Sequence, residues 1–252
     1  MPLLVSDFDG VLCDSVWECL LAAFNMHNRL QEPNHNRITT LSEIPEDLRT
    51  EFRQMRPYLH GAEDFLPIFK AALSKAKITS DGDLNRFRDD TLQMVQKSKE
   101  LFYAERDFLL QHEKELWFDL NPLFPEIAKS FAQLYPFDNV YILTTKRGQD
   151  AAEILQHNNI DFPKENILSV ETPMKIPSLK KLSRQRKIEL QEIIYIEDQI
   201  SFLPPAKEAG CRVYLADWGY VSDEQRQIAA DHSIPMIRET DFSEIMDEVG
   251  IR

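Results

Sequence analysis

Hydrophobic positions along the chain follow two rhythms. The first element is a short apolar run, Leu3-Leu4-Val5, that meets Asp7-Phe8-Asp9-Gly10; its length and flanks predict a buried parallel strand ending in a turn. A helical rhythm then takes over. Val16, Cys19, Leu20, Ala23, Phe24 and His27 recur at helical spacing, with Ser15 and Glu18 placed as a capping box at the start. Phe65, Ile68, Phe69, Ala72, Leu73 and Ala76 form a second apolar stripe, and Leu84, Phe87, Thr91, Met94 or Val95, and Phe102 a third. No convincing strand interrupts this stretch, which has the size of a small domain.

After Asn121-Pro122 the pattern changes to alternating strand and helix. Val140-Tyr141-Ile142-Leu143, Ile167-Leu168-Ser169-Val170, Ile193-Ile194-Tyr195-Ile196 and Val213-Tyr214-Leu215 are short β-rich runs, each followed by a plausible helix. That order predicts an α/β fold with a mostly parallel sheet. One strand cannot form a sheet alone, so the first joins the later ones. Residues 15–120 then become an all-helical cap inserted into an α/β core made of 1–14 and 121–252. The stretch Ile234-Pro235-Met236-Ile237 and the acidic segment Phe242 to Val249 read as a last edge strand and helix.

Composition narrows the partners. With 29 basic and 42 acidic side chains in 252 residues, the net charge of −13 repels nucleic-acid phosphate and anionic lipid alike. Only 7 glycines are present, with no G-x-G-x-x-G, G-x-x-x-x-G-K-[ST] or G-x-S-x-G, which excludes the glycine-dependent nucleotide loops and the serine hydrolase elbow. The three cysteines, Cys13, Cys19 and Cys211, form no C-x-x-C and read as reduced thiols. Without a signal-like start or a long apolar run, the expectation is a cytoplasmic protein with neither membrane nor nucleic-acid partners.

In open parallel sheets ligands bind beyond the carboxyl ends of the strands. Strand one ends on Asp7 and Asp9, the second on Thr144-Thr145-Lys146-Arg147, that at 193–196 on Glu197-Asp198, and the last on Asp217-Trp218-Gly219. Two carboxylates as close as Asp7 and Asp9 repel unless a cation or proton intervenes. An oxygen-rich, histidine-free set of this kind suits Mg²⁺. Beside hydroxyl and ammonium donors it suits phosphoryl transfer: Asp7 attacks phosphorus, while Thr144, helix-opening amides near Gly148 and a lysine hold the other oxygens. Asp9 then donates a proton to the leaving alkoxide and later accepts one from water.

These residues resemble the haloacid dehalogenase-like superfamily, within it the phosphatases with a helical cap inserted after the first motif. Asp7-Phe8-Asp9-Gly10-Val11 is similar to the first motif and Thr144 in Ile142-Leu143-Thr144 to the second. The resemblance implies a Rossmann-like core, Asp7 as nucleophile, Asp9 as general acid/base, and Mg²⁺ held by the Asp7 side chain, the Asp9 carbonyl and Asp198, with Glu197 adjacent. It also implies a lysine ahead of the fourth strand. Lys175, 22 residues before Glu197, fits best, while Lys180 and Lys181 remain open. Two departures stand out: Phe202 occupies the position of a frequent second acid, and Lys175 is followed by Ile176-Pro177 rather than by Pro-x-Pro.

Thr145 and Arg56 are the candidates for substrate contact. Arg49, Arg53 and Arg56 share one helix face just before Pro57, which places Arg56 at a loop, although such a stripe is also what a solvated face looks like. Trp218-Gly219-Tyr220 resembles a segment that follows a core strand in capped phosphatases, core packing explains its aromatics as well, and no role is assigned to it. The expected activity is hydrolysis of a small-metabolite phosphomonoester through an aspartyl-phosphate, by a phosphoric monoester hydrolase. Its rivals are a phosphomutase, which would share every core residue named, and a non-catalytic phosphate-ligand-binding protein.

Overall fold

The structure, a computed structural model, describes residues 2–132, 137–171 and 174–248. The chain divides into two compact units, one of residues 1–14 with 122–252 and one of residues 15–121. Among the described residues no helix is long and apolar enough to cross a membrane.

The first unit begins with β1 (Leu3–Ser6), whose four residues are all buried. The chain then enters the second unit, whose helices are α1 (Val16–Gln31), α2 (Glu46–Met55), α3 (Phe65–Leu73), α4 (Asp81–Thr91), α5 (Val95–His112) and α6 (Lys114–Asp119). Phe65 stacks on Phe102 with ring centroids 3.7 Å apart, joining α3 to α5. The expected capping box at the head of α1 does not form, since Ser15 makes no side-chain cap bond. Glu18 is instead fully buried and accepts two 2.8 Å hydrogen bonds from Arg106 on α5. A buried carboxylate needs its ionic partner more than a helix end needs one acceptor. A capping box is present at Ser80 and Asp83, opening α4.

The third apolar stripe is divided between α4 and α5 by a 3-10 turn at Leu92–Met94. At the break the Thr91 hydroxyl donates to the Phe87 carbonyl at 2.6 Å and the Arg88 carbonyl at 3.2 Å, the competition with the helix ladder that hydroxyl side chains offer. Similarly, Ala76 lies beyond the end of α3, after Lys75 at φ +52°.

Back in the first unit come α7 (Pro125–Ala132), β2 (Val140–Thr144), α8 (Gly148–His157), β3 (Ile167–Ser169), α9 (Lys175–Arg186), β4 (Ile193–Glu197), α10 (Leu203–Ala209), β5 (Arg212–Ala216), α11 (Asp223–Asp231), β6 (Met236–Ile237) and α12 (Phe242–Glu248). All strand pairs are parallel, in the order β3-β2-β1-β4-β5-β6. The fold is α/β, a Rossmann-like sheet with a helical insertion between its first and second strands. One face of the sheet buries Leu3, Val5, Leu143, Ile193, Tyr195 and Leu215 against Leu179, Leu182, Leu203 and Ala229. Phe131, Phe137, Phe162 and Phe242 make a separate aromatic cluster.

This strand order positions the site. The chain runs outward from β1 through β2 to β3, then returns to the other flank of β1 with β4. Such a reversal opens a crevice at the carboxyl ends of the strands on either side. Residues following β1, β2 and β4 therefore meet there.

Candidate active site

Asp7 follows β1 directly and is pinned to β4 by its N–H, which donates to the Ile196 carbonyl at 2.9 Å. The chain then turns: the Phe8 carbonyl accepts from Leu12 N–H and Cys13 N–H, and Gly10 N–H donates to the Cys13 carbonyl at 2.8 Å. Gly10 sits at φ +85°, and a Cβ on it would lie 2.0 Å from Asp198 Oδ2. A side chain there would displace Asp198, so the turn requires glycine.

Asp7, Glu197 and Asp198 are buried, and one oxygen from each lies within 4.8 Å of the others. Lys175, the first residue of α9, answers this charge: its Nζ is 3.0 Å from Asp7 Oδ1 and 2.7 Å from Glu197 Oε2. Burial works against its charge, yet Asp7 and Glu197 outweigh that and hold the ammonium well above its usual range. Burial and the neighbouring Glu197 push the Asp7 carboxyl up to about 8, against the opposing pull of Lys175. Burial also raises Glu197, opposed by Lys175. Lys180 and Lys181 are exposed further along α9.

Two residues whose part was not legible in the pattern complete the lysine's surroundings. The Tyr195 hydroxyl donates to Glu197 Oε2 at 2.5 Å, and Lys175 Nζ lies 4.7 Å from the centre of the Phe202 ring. Tyr195 and Glu197 are two apart on one strand and so share a face. Phe202 thus offers an aromatic face to the cation where an acid is frequent in the resembling family. Glu197 supplies the carboxylate.

Asp198 is held by the Trp218-Gly219-Tyr220 segment, to which the sequence assigned no role. Its Oδ2 accepts from Tyr220 N–H at 3.0 Å, the Tyr220 hydroxyl donates to Asp14 Oδ1 at 2.8 Å, and Trp218 Nε1 donates to the Val11 carbonyl at 3.0 Å. A Cβ on Gly219 would lie 2.3 Å from the Gly10 carbonyl oxygen. Trp218-Gly219-Tyr220 therefore clamps the turn after β1 onto Asp198.

Thr144 ends β2, buried, and its hydroxyl accepts from Lys146 N–H at 3.1 Å. Thr145 beside it is half-buried. The Asp9 carboxylate is not one of the clustered trio; it takes an ion pair from Lys146 Nζ at 3.1 Å. Extended backbone from Asp7 to Asp9 would set both carboxylates on one side, but the bend at Phe8 ends that register. Arg56 lies in the helical unit, buried in a 3-10 turn after α2 stops at Met55. On the same face, Arg49 is half-buried, and Arg53 is exposed and lies 5.3 Å from the centre of the Trp17 ring.

No protein-family model matches the chain. A phosphoglycolate phosphatase from Vibrio parahaemolyticus is 25% identical over 259 aligned positions, covering 100% of this chain and 97% of that protein. Among solved structures, a haloacid dehalogenase-like family hydrolase from Streptococcus pneumoniae superposes with a TM-score of 0.60 at 16% identity, covering 98% of each chain. A protein from Haemophilus somnus, described as a predicted phosphoglycolate phosphatase, gives 0.59 at 18% identity, again over 98% of each. In sheet order and helical insertion, the chain shares the fold of these haloacid dehalogenase-like structures.

Proposed function

We propose that the chain is a Mg²⁺-dependent phosphatase that hydrolyses a small phosphorylated metabolite through a phosphoaspartate at Asp7. The observation that carries this reading is the buried Asp7–Lys175–Glu197 bridge beside Asp198. Three buried carboxylates with one ammonium among them leave negative charge that burial penalises. The donors are all oxygen, the set that a hard divalent cation takes. Mg²⁺ therefore fits, held by Asp7 and Asp198, with Glu197 adjacent and the Asp9 carbonyl on the turn between them. Bound there, it would neutralise charge between the nucleophile and the phosphoryl oxygens.

The chain's own groups divide the remaining work. An Asp7 carboxylate oxygen attacks phosphorus, and the bond to the leaving oxygen breaks. Lys175 and the Thr144 hydroxyl hold phosphoryl oxygens, and Asp9 gives its proton to the leaving alkoxide. Water then attacks the phosphoaspartate, Asp9 takes a proton back, and inorganic phosphate departs. Thr145, half-buried beside Thr144, is assigned to substrate contact. The three cysteines are buried and form no disulfide among the described residues, which favours a reducing, cytoplasmic setting, and the −13 charge disfavours nucleic acid.

The name of the Vibrio relative makes 2-phosphoglycolate the first metabolite to try. The test is phosphate release from 2-phosphoglycolate and from an aryl phosphate, with Mg²⁺ and with chelator, by wild type and Asp7→Asn. Metal-dependent turnover, reduced at least about a thousandfold in the variant, is expected for loss of a covalent nucleophile. Equal release by both proteins would overturn the assignment of Asp7. Turnover only of a phosphosugar supplied with its bisphosphate would move the reading to a phosphomutase, and phosphate binding without release to a non-catalytic protein.

A further inference from the structure

Each aspartate of the first motif has its own lysine. Lys175 stands at Asp7, and Lys146 stands at Asp9 with Nζ 3.1 Å from Oδ1. The Lys146 side chain is 0% exposed, whereas that of Asp9 is 18% exposed. Long, flexible lysine side chains rarely end in full burial, so this placement is costly unless the ammonium is paired. The backbone of Lys146 is fixed on both sides. Its N–H donates to Thr144 Oγ1 at 3.1 Å, and its carbonyl accepts from Ser169 Oγ at 2.7 Å. Its Nζ also lies 5.9 Å from the centre of the Phe8 ring.

We propose that Lys146 is a positioning residue, which holds the Asp9 carboxyl in the geometry needed for proton transfer and ties it to the Thr144 hydroxyl through one rigid stretch of backbone. Asp9 lies outside the sheet, in an isolated bridge to Cys13 at the mouth of the turn after β1, and a side chain there needs an anchor if it is to meet a leaving oxygen within hydrogen-bonding distance. Lys146 supplies that anchor from the end of β2. Because Lys146 N–H also bonds Thr144, the proton donor and a phosphate-holding hydroxyl keep a constant separation. The inference rests on the reading of Asp9 as general acid/base.

A leaving-group comparison tests it, because alkoxides need a proton as they depart and aryl oxides with electron-withdrawing groups do not. Wild type, Lys146→Met, Lys146→Arg, Asp9→Asn and the Asp9→Asn/Lys146→Met double variant would be assayed on an alkyl phosphate and on p-nitrophenyl phosphate, with circular dichroism to establish folding. Misplacement of a catalytic group by an ångström costs about a hundredfold. The expected result is that Lys146→Met lowers the ratio of alkyl to aryl kcat by about ten- to a hundredfold, up to the full cost of such a misplacement. Lys146→Arg, which keeps the charge, restores part of the ratio. In the Asp9→Asn background the methionine lowers the ratio no further, as two residues acting as one unit require.

Equal loss on both substrates with a raised KM would overturn the proposal and assign Lys146 to direct phosphate contact. A further drop of the ratio in the double variant would overturn it as well. Absence of metal-dependent turnover by wild type on either substrate would overturn the phosphatase reading itself, and the proposal with it.

Discussion

Replacing the Asp7 carboxyl with an amide should stabilise the metal-free protein. Burial and Glu197 push the Asp7 carboxyl from 3.8 to about 8. A group whose folded value is raised contributes stability that is fully present below its unfolded value and is lost as pH rises through the folded value. The stability that Asp7 lends is therefore whole below pH 3.8 and falls away between about pH 4 and 8. At about 1.4 kcal/mol per pH unit, the loss reaches about 4 kcal/mol at pH 7. Asparagine does not titrate and escapes this loss, but its amide replaces the carboxyl in the hydrogen bond with the Lys175 ammonium, offsetting about 1–3 kcal/mol.

Asp7→Asn in chelator should accordingly be more stable by about 1–3 kcal/mol at pH 7, a rise in Tm of about 2–12 °C for a chain of this size. Near pH 5 the gain should be smaller. Added Mg²⁺ should stabilise wild type, by about 2.7 kcal/mol at a hundred times its Kd, and the variant less, so the gap narrows or inverts. The assay is thermal unfolding followed by circular dichroism at pH 5, 6, 7 and 8, with chelator and with Mg²⁺. A variant no more stable than wild type at pH 7 to 8, or a gap that does not change with pH, would refute the account of a charge-burdened site.

Other expectations follow from the same geometry. Gly10→Ala, whose Cβ would lie 2.0 Å from Asp198 Oδ2 at a backbone φ of +85°, should cost at least about 1 kcal/mol and abolish the rise in Tm on adding Mg²⁺. Retention of that rise would show that Asp198 takes no part in holding the ion. Lys175→Met should abolish phosphate release and destabilise the metal-free protein by about 3–5 kcal/mol, because buried carboxylates lose their counter-charge. Alanine at the exposed Lys180 or Lys181 should leave kinetics within about twofold of wild type and shift stability by less than about 0.5 kcal/mol; phosphate-release rates and urea unfolding check both. In the helical unit, Glu18→Ala should cost about 3–5 kcal/mol by stranding the buried Arg106 guanidinium, measurable in urea unfolding at pH 7.

Much of the core was legible because its signals are local. Short apolar runs at Leu3–Val5, 140–143, 167–170, 193–196 and 213–215, each followed by a helix, determine a parallel sheet. A parallel strand covered on both faces must be apolar throughout. The acidic residues at the ends of β1 and β4 were equally visible, since polar groups directly after buried strands face the sheet edge. The capping box at Ser15 and the unbroken stripe from Leu84 to Phe102 were misleading for the converse reason. Spacing describes what a helix can do alone, whereas Arg106 claimed Glu18 and the Thr91 hydroxyl bonded back to its own helix.

By itself, the sequence determined the α/β class, the strand-end aspartates and the candidate lysines, all properties of residues close together in the chain. Tertiary structure decided which of these groups meet. It set Lys175 rather than Lys180 or Lys181 between Asp7 and Glu197, turned the Phe202 ring toward that ammonium, and brought Tyr220 to Asp198 and Lys146 to Asp9. Those pairings span from 22 to 168 residues of chain. No periodicity encodes such separations, because the cost of burying a charge is settled only by whichever opposite charge the fold delivers.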